Sequence, residues 1–136
     1  MKVEIRGDTD EKLTVILSRV ADLSKPMAEI GQLMKRSVIE NFQAGGRPDK
    51  WKPLSEKYLA WKLTHGYTSQ ILVLTHRLMQ SFSTQTDSKS ARVFTGVKYA
   101  GKHNFGDGQT PQRQFMMFQS EDVSKIKEII SKFVGG

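Results

Sequence analysis

The segment from Lys98 to Phe118, KYAGKHNFGDGQTPQRQFMMF, constrains the fold most, because it is a long, turn-rich connection between two regions of readable periodicity. Gly106 and Gly108 admit positive φ, Asp107 suits an Asx turn, and Pro111 fixes φ while removing a donor. Tyr99, Phe105, Phe115 and Phe118 supply apolar anchors along the way. Ordering so many residues costs conformational entropy, so a loop of this composition either carries function or closes over a small core.

At 136 residues the chain reads as one domain, 1–136, large enough to bury roughly two-thirds of the surface its unfolded form exposes. Hydrophobic residues make up 38% and charged residues 26%, an ordinary balance for a soluble protein. No run approaches the ~18 apolar residues that a membrane span requires. The N-terminal MKVEIRGDTDEKL lacks the uninterrupted apolar stretch of a secretory signal, which points to a chain that stays in the cytoplasm where it is made. With no cysteine, disulfides, thiolate ligands and cysteine nucleophiles are excluded.

The net charge of +7 is concentrated in the middle: residues 25–119 carry fourteen basic and six acidic groups, against four and five before them and three and three after. A basic centre suits nucleic acid or an acidic protein partner, and also a solvated surface that only maintains solubility.

Read in order, Val3 and Ile5 alternate with polar neighbours and predict a short strand over Lys2–Arg6. Asp8 and Glu11 have capping-box spacing, and Leu13, Ile16, Leu17, Val20 and Leu23 recur at helical spacing, predicting a first helix from Thr9 to Leu23. Ser24-Lys25-Pro26 restarts the chain, and Met27, Ile30, Leu33, Met34, Val38 and Phe42 form a second, longer helical stripe that stops at Gly45-Gly46. In the loop that follows, Arg47, Lys50 and Lys52 surround Trp51 between two prolines. That pattern suits contact with bases and phosphates, or a tryptophan pinning the loop to the core. Ser55 caps a short helix over Glu56–Leu63, buried through Tyr58 and Trp61, with His65 at its C-terminus and Gly66 as the stop.

Thr75 reads as the N-cap of a helix over His76–Ser81, with Leu74 and Met79 as a hydrophobic staple. Ser83–Thr86, a turn at Asp87-Ser88-Lys89, and Ala91–Thr95 read as a β-hairpin. Ser120, with Glu121 and Asp122 in the first turn, caps a last helix whose Val123, Ile126, Ile129, Ile130 and Phe133 share one face. The expected fold is α+β: several helices packed with a short antiparallel sheet, joined by long ordered loops.

The usual signatures of catalysis are missing. His65, His76 and His103 lie 11 and 27 residues apart, without metal-ligand spacing. Lys102-His103-Asn104 lacks the further ligands of a metal-dependent nuclease. There is no G-x-S-x-G elbow or phosphate-cradling glycine loop. No metal, cofactor or enzymatic activity is expected.

Several ordered motifs resemble those of the phage virion morphogenesis family, the tail-completion proteins of Mu-like and related tailed bacteriophages. Ile30-Gly31 in the long helix and Pro48-Asp49-Lys50-Trp51-Lys52-Pro53-Leu54-Ser55 resemble the family's helix and its P-D-G-x-W-x-P-L-S loop. Leu72 to Phe82 resembles I-L-x-x-T-G-R-L-x-x-S, and Val97 to Gly106 resembles V-x-Y-A-x-x-H-x-F-G. Pro111-Gln112-Arg113-Gln114-Phe115 is similar to P-A-R-P-F. Three positions depart from the pattern: Lys50 and His76 stand where glycine is usual, and Gln114 replaces a proline.

The resemblance implies a structural, non-enzymatic protein acting in tail completion and head-tail joining. It would assemble in the host bacterial cytoplasm and reside at the virion neck or tail end. Its expected partners are copies of itself in a ring and the phage connector, neck and tail proteins, with possible non-specific contact with DNA and none with membrane. Arg47, Trp51, Lys52, Arg113 and Phe115 are the candidates for assembly contacts, with Trp51 and Phe115 as apolar anchors and Arg113 as a partner for carboxylates or carbonyls. Tyr99, His103, Phe105, Gly106 and Pro111 are the candidates for ordering the loop, Tyr99 and His103 sharing a face of a short helix. The alternative function is a basic nucleic-acid-binding module, which predicts a steep salt dependence.

Overall fold

The computed structural model of the protein describes residues 3–8, 11–17, 22–73 and 76–135. Along the chain run β1 (Val3–Asp8), β2 (Lys12–Leu17), α1 (Ser24–Ala44), α2 (Glu56–Thr64), β3 (Phe82–Thr86), β4 (Ser90–Thr95), α3 (Ala100–Phe105) and α4 (Ser120–Val134). The strands form an antiparallel sheet in the order β1-β2-β4-β3, and the expected α+β class is the class observed.

The long helix α1 organises the packing. Met27, Ile30, Met34, Val38 and Phe42 are all fully buried, and their three- and four-residue spacing puts them on one stripe. That stripe lies on β3 and β4, and α4 packs on α1. From the sheet, Leu13, Val15 and Leu17 of β2 and Ala91 and Val93 of β4 point inward. From α4, Ile126 and Ile130 complete the core. The helix ends at Gly45, whose φ of 71° is the left-handed cap that helix termini favour.

The helix predicted from Thr9 to Leu23 is not formed: Lys12–Leu17 is an internal strand, paired with β1 on one side and β4 on the other. Leu13, Val15 and Leu17 alternate while Leu13, Ile16 and Leu17 also fit helical spacing, and the β-branched Thr14-Val15-Ile16 favours the extended form. Glu11, the expected capping-box acid, instead sits in the turn before β2 with φ at 55°. The expected Val20 contribution lies outside the described residues. β1 follows the predicted strand, extending to Asp8.

The β3–β4 hairpin forms as predicted, its turn held by Asp87 Oδ1, which accepts from the backbone N–H of Lys89 and of Ser90 at 2.8 Å each. Over His76–Ser81 only a turn forms in place of the predicted helix, closed by the Gln80 N–H to the His76 carbonyl. His76 has φ at 63°, a left-handed conformation that a helix cannot continue. The proposed cap Thr75 and staple residue Leu74 lie outside the described residues.

At α4 the cap is Gln119, one residue before the predicted Ser120, and its backbone N–H donates to the Asp122 carboxylate at 2.9 Å. The short helix α2 is capped as predicted, Ser55 Oγ accepting from the Tyr58 N–H at 3.2 Å. Tyr58 and Trp61, expected to bury it, are each 42% exposed. The only buried residue of α2 is Lys62.

Candidate assembly interface

The two motif loops, 45–55 and 106–119, meet and lock together. Phe42 at the end of α1 is the hub, with its ring 5.7 Å from Trp51, 5.8 Å from Phe82 and 5.0 Å from Phe115. Around these rings a set of hydrogen bonds ties each loop to the other. Trp51 Nε1 donates to the Gln114 carbonyl at 3.0 Å, and Arg113 donates through Nε to the Lys52 carbonyl at 3.0 Å and through Nη2 to the Pro53 carbonyl at 3.2 Å. The side chains thus supply donors to backbone carbonyls of the opposite loop.

Two asparagines finish the clamp. Asn41 Nδ2 donates to the Phe115 carbonyl at 2.6 Å, and Asn104 Oδ1 accepts from the Phe115 and Met116 N–H groups at 3.1 and 3.0 Å. Both are buried; truncating Asn104 would leave the Phe115 and Met116 N–H groups without this acceptor, whereas the Phe115 carbonyl would keep the Met117 N–H at 3.0 Å. Sequence reasoning missed them. The signal for Asn41 was a polar residue standing in the apolar stripe beside Phe42; Asn104 lies in a motif gap and gave none.

Arg47 is fixed with similar thoroughness. Its Nε donates to Asn41 Oδ1 at 2.8 Å and its Nη2 to the Ser37 carbonyl at 2.8 Å, while Nη1 pairs with Glu40 at 3.0 Å and lies 3.6 Å from Glu121. Ser37 Oγ in turn donates to the buried Asp122, joining α1 to α4.

The backbone of both loops is as specific as their side chains. At Gly46 φ is 108°, and a Cβ there would lie 2.6 Å from the Trp51 nitrogen. At Gly106 φ is 74°, and a Cβ would lie 2.9 Å from the Gln112 nitrogen. Neither position accommodates a side chain without moving the loop. Asp107 closes the expected Asx turn, its Oδ1 accepting from the Gln109 N–H at 2.8 Å and from the Thr110 N–H.

The five residues expected at assembly contacts are therefore mostly employed within the chain itself. Phe115 is fully buried, Trp51 is 8% and Arg113 7% exposed, Arg47 is half-buried, and of the five only Lys52 is exposed. Burial lowers the Arg113 pKa from its ordinary value, and the carbonyl partners anticipated for it belong to its own chain. Among the five residues expected to order the loop, Tyr99 and Phe105 are exposed at 39% and 43%. His103 is half-buried and meets Tyr99 edge to face at 5.9 Å, Gly106 is required by its geometry, and Pro111 is half-buried.

The His103 carbonyl accepts the Arg113 N–H at 2.8 Å, so α3 holds the second loop from below. Burial, reinforced by Arg113 and Lys102 and opposed by Asp107, lowers the His103 pKa below the usual histidine value.

At the surface lies a second aromatic cluster, on and beside α2. Trp61 stacks with His65 at 4.5 Å, Tyr67 at 5.7 Å and Tyr58 at 5.9 Å, and Leu63 beside them is 54% exposed. Among the described residues no group of side chains could hold a metal ion, and no helix is long and apolar enough to cross a membrane.

This clamp is built from the motif residues that resemble one set of phage proteins, and the comparison with known families agrees. Residues 7–135 match the model of the phage virion morphogenesis family, and the chain belongs to that family. Among its relatives is the "Mu-like prophage FluMu G protein 2" of Haemophilus influenzae, 30% identical over 96% of this chain and 95% of that protein. A second, "Uncharacterized protein MJ0331" of Methanocaldococcus jannaschii, is 30% identical over 85% of this chain and 93% of its own length. No solved structure matches the chain.

Membership also gives meaning to two of the departures from the motif pattern. His76, where the pattern carries glycine, adopts the left-handed φ of 63° that glycine serves without strain. Lys50, at the other glycine position, needs no such backbone and donates its ammonium to the Ala44 carbonyl at the end of α1.

Proposed function

We propose that this protein is a structural, non-catalytic subunit that completes the phage tail and joins it to the head, working as copies arranged in a ring at the neck or tail end. Its partners in this reading are other copies of the chain and the connector, neck and tail proteins, met in the host bacterial cytoplasm as the particle is built. Family membership supports the morphogenetic role. The observation that carries the finer reading is the outward-facing aromatic cluster of α2 on a frame whose loops are already locked. A surface of that kind is a docking surface, because exposed large apolar groups gathered at one place are uncommon on a protein that works alone. Repetition around an axis would convert weak contacts at each subunit into a strong joint.

The experiment is electron microscopy of phage lysates with and without the gene. Filled heads beside separate tails, rescued by the protein supplied in trans, support the joining role; infectious particles formed without it overturn that role. The net charge of +7 motivates the second reading, a nucleic-acid-binding module. It requires duplex binding that persists at physiological salt and falls steeply as salt rises.

A further inference from the structure

The helix α2 presents its polarity in reverse: its one buried residue is a lysine, and Tyr58, Trp61 and Leu63 face out. Beside it opens a half-enclosed cleft of about 320 Å³, walled by Tyr58, Lys62, His76, Arg77, Tyr99 and His103. Among the described residues no aspartate or glutamate lines it.

Among the described residues no acidic side chain pairs with Lys62 or Arg77 in this cleft. Lys62 Nζ donates to the Gln70 carbonyl at 2.7 Å and the Val73 carbonyl at 3.1 Å, and its third N–H has no protein acceptor among the described residues. Arg77 lies with its guanidinium carbon 5.9 Å from the centre of the Tyr99 ring. The ion pairs among the described residues involve neither of them. His103 Nδ1 is buried without a hydrogen-bond partner. A buried ammonium held only by carbonyls, with a donor to spare, is incompletely compensated for its lost hydration.

We propose that this cleft is the docking site for an acidic segment of a partner protein. Lys62 and Arg77 take a carboxylate, and an adjoining apolar side chain lies against the exposed edges of Tyr58, Trp61 and Tyr99. The inference deepens the assembly reading and rests on it for the partner being a protein. Two observations favour protein over nucleic acid. Trp61 already stacks with His65 at 26° and with Tyr58 at 17° between planes, so the largest ring of the ridge has less face to offer a base. Lys62 is only 1% exposed at the wall of the cleft, a placement that suits a single side chain entering the cleft better than the convex backbone of a duplex.

The test is selection of a random heptapeptide library on the immobilised full-length protein at about 0.15 M salt, repeated with Arg77→Glu and with oligothymidylate as competitor. Selected peptides are expected to pair aspartate or glutamate with aromatic or aliphatic residues. They should bind Arg77→Glu at least about tenfold more weakly, as expected when a like charge replaces its opposite, and resist displacement by oligothymidylate. Selection without acidic enrichment, equal binding by Arg77→Glu, or displacement by oligothymidylate each overturns the proposal.

Arg77 is exposed, so circular dichroism of Arg77→Glu should match the parent, and Lys62→Met serves as a second variant that keeps the side-chain stem. The outcome is separable from that of the gene deletion. Acidic peptides selected by a protein whose absence leaves particles infectious keep the docking site and overturn the joining role; unjoined heads and tails with no acidic selection do the reverse.

Discussion

The clamp around Phe42 and the ridge on α2 use the same residue types to opposite ends. Both contain a tryptophan, further aromatics and a basic residue that donates to two backbone carbonyls. In the clamp, Trp51 and Phe115 lie inside and Arg113 crosses from one loop to the other. On the ridge, Trp61 and Tyr58 lie outside and Lys62 takes the interior position. The difference is one of connection: the clamp residues hang from α1 and from the loops it anchors, whereas α2 takes part in none of the principal packings among helices and strands. Aromatic content therefore does not tell core from exposed surface. Whether the supporting element is packed does.

Mutations at matched positions should break this symmetry. Phe115→Ala empties a fully buried site and is expected to cost about 3–5 kcal/mol in urea-unfolding free energy. Trp61→Ser, on the ridge, should stay within about 1 kcal/mol, the scale of exposed aromatic contacts, while weakening assembly. Comparable losses at both sites would show that the ridge is part of the core.

Arg113→Ala comes next in size. It leaves the Lys52 and Pro53 carbonyls without these donors, and the expected loss is about 1.5–3 kcal/mol by the same measurement, the scale of hydrogen bonds to charged groups. If this variant keeps its stability and fails only in assembly, Arg113 works between subunits, as the sequence alone suggested.

The smallest expected effect is a pH dependence. His103 has its pKa lowered in the folded protein, chiefly by burial, with Arg113 and Lys102 adding to it and Asp107 opposing. The unfolded chain therefore takes up the proton first as pH falls. The stability His103 contributes is present above the ordinary histidine value of about 6.5 and is lost as pH drops through the lower folded value. Thermal melting points measured between pH 7.5 and 5 should fall, and His103→Gln should flatten that fall. An unchanged slope in the variant would place the dependence elsewhere.

The sequence by itself determined the elements whose patterns have a single solution. The apolar stripe of α1 runs from Met27 to Phe42 at helical spacing, within a helix of 21 residues, which no strand pattern matches. The β3–β4 hairpin carries its own turn chemistry at Asp87, and α4 has a first turn rich in acid. The motifs at Trp51 and Phe115 were also legible, and with them the family. Tertiary structure alone decided three things. Lys12–Leu17 fits both periods, and became a strand because β1 and β4 satisfy its backbone from both sides. Trp51 and Trp61 sit in similar surroundings of aromatic and basic residues, and only packing against Phe42 puts the first inside. Asn41, Asn104 and Arg113 serve carbonyls and N–H groups up to 74 residues away. Buried backbone must find partners wherever the fold brings them, and nothing in local sequence specifies which loop will arrive.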